Sequence, residues 1–272
     1  MYQLIALDMD GTLLDSNKQI SERNCRAISA AAQRGKIVVL NTGRCLAELE
    51  EYFDLLPDVR YLNCASGAQI YDLQERRVLY SHFLDADIVK ELLRLAAIED
   101  AMPHILHDKS IVQRDQCKQM GKYGMGIYQA MFERVAEQWE NIIKDYQASP
   151  FPAAKINIYH ISPASRSRTE KRIIEAGLNV TFAESERTSL EMSAAGVNKG
   201  TGLEKLCMAL ALPMDQTIVV GDADNDLDSL KKAGLAVAMG NANQSVKEVA
   251  AAVVADCDHD GCAEAIEKYL LT

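Results

Sequence analysis

Two aspartates, Asp8 and Asp10, flank a methionine directly after the apolar run Leu4-Ile5-Ala6-Leu7, and Gly11-Thr12 follow them. At the end of a buried strand, carboxylates at i and i+2 can do different work. One can attack phosphorus while coordinating a metal, and the other can pass protons from the far side of the transferring group. An acidic turn that merely closes a strand carries the same letters. Far along the chain, Gly221-Asp222-Ala223-Asp224-Asn225-Asp226 sets three carboxylates close together after another apolar run. Such crowding is costly without a cation to offset it, and oxygen ligands alone suit a hard ion such as Mg2+. Asn41-Thr42-Gly43-Arg44 offers a hydroxyl and backbone N–H groups at a strand-to-helix turn, which is either a phosphate nest or an ordinary helix cap. Lys199 stands at a predicted helix start, where the helix dipole disfavours a cation. It is either a solvated surface lysine or one that reaches an anion.

The elements that must position these groups follow from periodicity. Leu4–Leu7, Ile37–Leu40, Tyr61–Cys64, Thr217–Val220, Leu235–Met239 and Ala252–Ala255 read as short buried strands. Between them lie helices. One is capped by Ser21, carries Cys25, Ile28 and Ala32 on one face and ends at Gly35; another is expected over 45–55. A third covers 200–210 with Leu203, Leu206, Cys207 and Leu210 on one side. Leu227 and Leu230 belong to a helix ended by Gly234, and Cys262, Ile266 and Leu270 to a closing one. Strands alternating with helices mean crossover units, hence an α/β, doubly wound parallel sheet with a Rossmann-like core. Ligands of such sheets sit at the carboxyl ends of the strands, so the Asp8, Thr42 and Asp222 clusters should converge on one rim.

The pattern breaks between about 83 and 188. Helices are expected over 85–98, 131–145 and 165–176, with strands at Lys155–Tyr159 and Val180–Phe182. This reads as an inserted α+β domain over 83–188, with 1–82 and 189–272 forming the core. Chain crossings near Ser81–Leu84 and Ser185–Leu190 would serve as hinges by which the insert gates the site.

Taken in order, Asp8-x-Asp10-Gly-Thr-Leu, Thr42-Gly-Arg, Lys199 and Gly221-Asp-x-x-Asn-Asp resemble the four motifs of the haloacid dehalogenase superfamily of phosphatases. The insert between the second and third motifs resembles the large α+β cap of its Cof-like subgroup. The resemblance spans essentially the whole chain, and is specific in the core and architectural in the cap. It implies that Asp8 is the nucleophile and a magnesium ligand. Asp10 would protonate the leaving alcohol, then deprotonate water, and bind magnesium through its carbonyl. The Met9 N–H, Thr42 and the Gly43 N–H would hold phosphate oxygens, with Lys199 neutralising the phosphate and Asn225 assisting. Asp222 would ligate magnesium, Asp226 would support it, and Arg44 is a candidate substrate contact. The implied activity is Mg2+-dependent hydrolysis of small phosphorylated metabolites, sugar phosphates or phosphorylated cofactors, through an aspartyl phosphate. Phosphoryl transfer by a mutase, or a non-catalytic sugar-phosphate-binding regulator, would use the same scaffold. Specificity would rest with the cap, where His104, His107, Tyr123, Tyr128, Lys155 and Tyr159 are candidates.

Composition bounds the rest. At 272 residues, two domains or one with a large insertion is expected. A net charge of -10 disfavours nucleic acid as a partner. No apolar stretch approaches the roughly 20 residues needed to span a bilayer, and the first residues lack the basic leader of a signal peptide. Seven scattered cysteines without a C-x-x-C suit a reduced, cytoplasmic protein. One rival motif stands out. Asp256-x-Asp258-x-Asp260-Gly261-x5-Glu267 matches a calcium-loop pattern. That loop belongs between two helices, whereas Val253-Val254 before it reads as a strand end. An acidic loop that opens a helix near the active rim is the expected role, ahead of calcium there or zinc at Cys257, His259 and Cys262.

Overall fold

Each residue of β1 (Leu4–Leu7) is buried, as an unbroken apolar run requires of a strand covered on both faces. α1 (Glu22–Gln33) begins where the Ser21 hydroxyl accepts from Asn24 N–H, and Gly35 follows its end with a φ of 72°. Its buried face is Asn24, Ala27, Ile28 and Ala31 rather than the expected Cys25–Ile28–Ala32 stripe. The cause is Asn24, which turns inward to accept from Ala263 N–H. After β2 (Ile37–Asn41), the helix expected over 45–55 is two short 3₁₀ turns, Leu46–Glu48 and Glu50–Tyr52. Glu48 bends back to accept from Cys45 N–H, and its other oxygen accepts from the Ser110 hydroxyl, so a tertiary bond takes the place of helical continuation. β3 (Tyr61–Cys64) is followed by an antiparallel pair absent from the sequence reading, β4 (Gln69–Asp72) and β5 (Arg77–Ser81). β5 is a partly exposed edge strand with no clear alternation.

The structure is a computed structural model that describes residues 1–183 and 187–272. Its contacts separate unit 1, comprising Met1–Gly43, Glu51–Ser81 and Asn198–Thr272, from unit 2, comprising Arg44–Glu50 and the described part of His82–Val197. In unit 2, α2 (Ala86–Ile98) leads to β6 (Met102–Leu106), β7 (Ser110–Gln113) and α3 (Arg114–Cys117). The helix expected over 131–145 is three elements, α4 (Gln129–Val135), β8 (Glu137–Trp139) and α5 (Ile142–Ala148). β8 breaks it by pairing with β7, and Asn141 caps a new helix by accepting from Lys144 N–H. β9 (Lys155–Tyr159), α6 (Pro163–Glu175), β10 (Val180–Ala183) and β11 (Ser189–Ala194) complete the unit. The sheet runs β10-β11-β9-β6-β7-β8.

β11 corrects the placement of the return crossing. Ser189 and Leu190 lie inside a strand paired with both β9 and β10, and the change of unit falls at Val197–Asn198. Ser185, at the expected hinge, lies outside the described residues.

His160, just after β9, is buried against this sheet. Its Nδ1 faces the Thr188 carbonyl at 3.1 Å and its Nε2 the Thr169 hydroxyl at 2.9 Å. A carbonyl only accepts, so the neutral ring with its proton on Nδ1 satisfies both contacts. Burial, with Arg166 nearby, lowers its pKa from 6.5, outweighing the Thr188 carbonyl and Glu99, which pull it up. The folded state therefore binds the His160 proton less readily than the unfolded chain, and this contribution to stability is lost as pH falls below 6.5. In denaturant titrations at pH 7.5 and 5.5, a His160→Gln protein should show a smaller acid-induced loss than the wild type.

Unit 1 resumes with α7 (Lys199–Ala209), β12 (Thr217–Gly221), α8 (Leu227–Lys232), β13 (Leu235–Ala238), α9 (Gln244–Val249), β14 (Ala252–Val253) and α10 (Gly261–Ala265). Its sheet order is β14-β13-β12-β1-β2-β3-β4-β5, parallel from β14 to β3. That is the doubly wound α/β core expected, extended by an antiparallel edge.

Candidate active site

The register of unit 1 sets the site. Leu7 lies opposite Leu40 on one side and Val220 on the other, and Asn41 opposite Asn63. Asp8, Asn41, Asn63 and Gly221 therefore occupy one level at the carboxyl ends of adjacent strands, where ligands of parallel sheets bind. The Asp8, Thr42 and Asp222 clusters reach one rim. Gly11 closes the first turn at φ 81°, and a Cβ there would stand 2.5 Å from Asp222 Oδ2. Thr12 donates its hydroxyl to Asp222 Oδ1 at 2.8 Å.

Lys199 is the pivot. Asn198 caps α7 by accepting from Thr201 N–H, so Lys199 opens the helix. Its ammonium is fully buried and donates to Asp8 Oδ1 at 2.6 Å and Asp226 Oδ1 at 2.7 Å. Burial alone would lower its pKa, but the Asp226 and Asp8 carboxylates outweigh burial and raise it. Burial pushes Asp8 well above the usual carboxylate range, opposed by Lys199 and reinforced by Asp226 and Asp222. Burial, then Asp226, pushes Asp222 up to about 6. Asp8, Asp222 and Asp226 each bring a carboxylate oxygen within 4.8 Å of the others. Asp224 turns away instead to accept from Asn243 and Ser245.

A buried amide network, unread in the sequence, holds the start of α7. Asn63 Nδ2 donates to Asn41 Oδ1 at 2.6 Å and to the Lys199 carbonyl at 2.8 Å. Asn41 Nδ2 reaches Ser229 Oγ at 3.4 Å, and Ser229 donates to the Asp226 carbonyl. The available signal was an asparagine near the end of each of two otherwise largely apolar strands. Thr42 is buried, with its N–H on the Asn63 carbonyl and its own carbonyl accepting from Ser66 N–H.

Arg44 belongs to unit 2, where it donates to the Glu48 carbonyl at 3.5 Å. Of the cap candidates, His104, Lys155 and Tyr159 share one side of the sheet with Asn157 and Glu191, since His104 lies opposite Asn157, and Asn157 opposite Glu191. His104 bonds Tyr159 at 3.1 Å and Ser110 at 2.7 Å, while Lys155 pairs with Glu191. All five are buried, and Asn157 Oδ1 has no hydrogen-bond partner among the described residues. Tyr123 lies in an apolar cluster with Met120, Met125 and Phe132, and Tyr128 packs against it. His107 sits between the rings of Phe83 and Phe151.

A profile of the haloacid dehalogenase-like hydrolases matches residues 5–266. The 5-amino-6-(5-phospho-D-ribitylamino)uracil phosphatase YcsE of Bacillus subtilis (strain 168) is 29% identical over 275 residues, 99% of this chain and 96% of the relative. The pyridoxal phosphate phosphatase YbhA of Escherichia coli (strain K12) is 25% identical over 285 residues, 99% of each. A solved haloacid dehalogenase-like hydrolase from B. subtilis matches with a TM-score of 0.86 at 26% identity, over 98% of this chain and 99% of that one.

Proposed function

Because the chain belongs to the haloacid dehalogenase-like hydrolase family, we propose that it hydrolyses small phosphorylated metabolites with Asp8 as nucleophile, Asp10 as proton donor and acceptor, and Mg2+ as cofactor. It is a phosphoric monoester hydrolase, the class to which its named phosphatase relatives belong. The observation that carries the finer reading is the buried charge set. Three carboxylates face one ammonium, leaving an excess of negative charge that a divalent cation would neutralise. The donor set fits Mg2+, a hard ion that prefers oxygen. Asp226 has both oxygens engaged, by Lys199 and by the N–H groups of Asp222 and Ala223, which favours Asp8, Asp222 and the Asp10 carbonyl as ligands and Asp226 as their support. Bound there, Mg2+ would offset the negative charge that separates Asp8 from a phosphate.

The residues then divide the work. The Met9 and Gly43 N–H groups and Thr42 hold phosphate oxygens, and Lys199 neutralises them, with the Asn225 side-chain N–H assisting. Asp8 attacks phosphorus and the alcohol oxygen leaves with a proton from Asp10. Asp10 next takes a proton from water as that water attacks the aspartyl phosphate, releasing phosphate and regenerating Asp8. Choice among substrates is assigned to unit 2, whose buried polar face at His104, Lys155, Asn157 and Glu191 suits hydrogen-bonding groups such as a sugar, a ribityl chain or a heterocycle.

The test is phosphate release from a panel containing sugar phosphates, pyridoxal phosphate, flavin mononucleotide and 5-amino-6-(5-phospho-D-ribitylamino)uracil. Hydrolysis predicts free phosphate; transfer to a second sugar would mark a mutase, and binding without turnover a regulator. Excess chelator should abolish release and lower the melting temperature. Mg2+ should restore both, since a ligand bound only to the folded state stabilises it, whereas Ca2+ should restore melting but little activity. Full activity in excess chelator would sink the metal assignment.

A further inference from the structure

Lys18 donates to Asp10 Oδ1 at 2.8 Å. A pair between partly exposed side chains contributes little to stability, yet Lys18 holds a backbone φ of 60°, left-handed and unfavourable for a residue with a Cβ. A closed turn keeps it there. One oxygen of Asp15 accepts from Asn17 N–H at 2.9 Å and Gln19 N–H at 2.8 Å. Asp15 N–H donates to the Gln19 carbonyl, and Lys18 N–H to the Asp15 carbonyl.

The turn is also fastened from outside, by the acidic loop that resembles a calcium site. Asp258 Oδ1 accepts from Ser16 N–H at 2.8 Å. Asp256 holds Asp258 in turn, accepting its N–H at 3.0 Å and facing His259 Nδ1 at 2.6 Å. Glu267, the last position of the calcium pattern, pairs with Arg23 instead. The letters of that pattern thus serve bonds to other parts of the fold, one of which fixes the Lys18 turn.

We infer that Lys18 is a positioning residue for Asp10, fixing the rotation of its carboxylate, and that Asp258 supports it by anchoring the Asp15–Gln19 turn. The inference rests on the reading of Asp10 as proton donor and acceptor. Proton transfer demands tight geometry, and a displacement of about 1 Å can cost on the order of a hundredfold in rate. The backbone strain at Lys18 is then tolerated for where it places the ammonium.

Steady-state kinetics on an alkyl phosphate test this. Lys18→Met should lower kcat by about ten- to a hundredfold with KM unchanged, Lys18→Arg should recover most of the loss, and Asp258→Ala should show a weaker form of the same split. Lys18→Gly relieves the strained φ, so it should melt no lower than wild type while losing kcat like Lys18→Met. Asp8→Asn is measured alongside. If Asp8→Asn retains turnover, the phosphatase reading itself fails. If Asp8→Asn is inactive while Lys18→Met keeps wild-type kcat, or loses only in KM, the positioning role is overturned and the phosphatase reading stands.

Discussion

An Asp8→Asn protein should form no phosphoenzyme from any substrate, whereas Asp10→Asn should accumulate one from an activated phosphate. The two aspartates are two residues apart but differently placed. Asp8 is buried against Lys199 at 2.6 Å, in a place that already holds Asp226 and Asp222. Asp10 is partly exposed and bonded to Lys18. A carboxylate aimed at phosphorus must be ionised, and Lys199 with a bound cation would keep Asp8 so despite burial. Asparagine at position 8 has no such nucleophile, so turnover should vanish. Asparagine at position 10 keeps the shape and loses proton transfer, typically worth about 10²–10⁴-fold. That loss should shrink in the first step for nitrophenyl phosphate, whose leaving group needs little protonation, and persist in the second, where water must be activated. The phosphoenzyme therefore builds up. Mass spectrometry of acid-quenched protein reads the outcome. Phosphate on a residue other than Asp8, or near-normal turnover by Asp8→Asn, would overturn the mechanism.

The rim of the core was legible in the sequence because each of its parts is local. Leu4–Leu7 and Ile218–Val220 are apolar runs that end next to or one residue before an aspartate, and a parallel sheet brings such stops to one edge. Lys199 stood out for its unfavourable place at a helix start, and its buried pairing with Asp8 and Asp226 accounts for that place. What escaped depends on partners distant in sequence. His104, Asn157 and Glu191 share one side of a sheet only because β6 pairs with β9 and β9 with β11, each across a long intervening stretch of chain. β6, β8 and β11 were accordingly unread, and β7, joined to β6 by a short turn, was missed with it. The helix expected over 45–55 failed because Glu48 finds Ser110 and His104 rather than solvent; burial alone would raise its pKa, and those partners with Arg44 lower it. The calcium-loop letters matched in full, yet bonds to Ser16 and Arg23 give Asp258 and Glu267 their places. A motif specifies donors, and the neighbours decide what they bind.

Replacing Lys199 by Met should cost both activity and stability, and the two losses should respond differently to Mg2+. The side chains are of similar length, so the space that the buried Lys199 side chain occupies stays filled. What is lost is the only ammonium bonded to Asp8 and Asp226 among the described residues. Removing one partner of a buried ion pair typically costs about 3–5 kcal/mol, because the remaining charge is left uncompensated; here two carboxylates remain. The denaturation midpoint of metal-free Lys199→Met should therefore fall well below that of metal-free wild type. Turnover should drop by about 10²–10³-fold, the usual effect of losing one preorganised charge at a reacting phosphoryl or acyl group. Added Mg2+ meets the same excess of negative charge and should narrow the stability gap. It should not restore turnover, since an ion at Asp8 and Asp222 cannot also occupy the ammonium's place between Asp8 and Asp226. Lys199→Arg should fail as well, because a planar guanidinium does not fit where a compact ammonium meets two carboxylates at 2.6 and 2.7 Å. A metal-free Lys199→Met protein as stable as wild type would mean that Asp8 and Asp226 are not held as a charged pair around Lys199. Recovery of turnover by Mg2+ alone would remove Lys199 from the phosphate site.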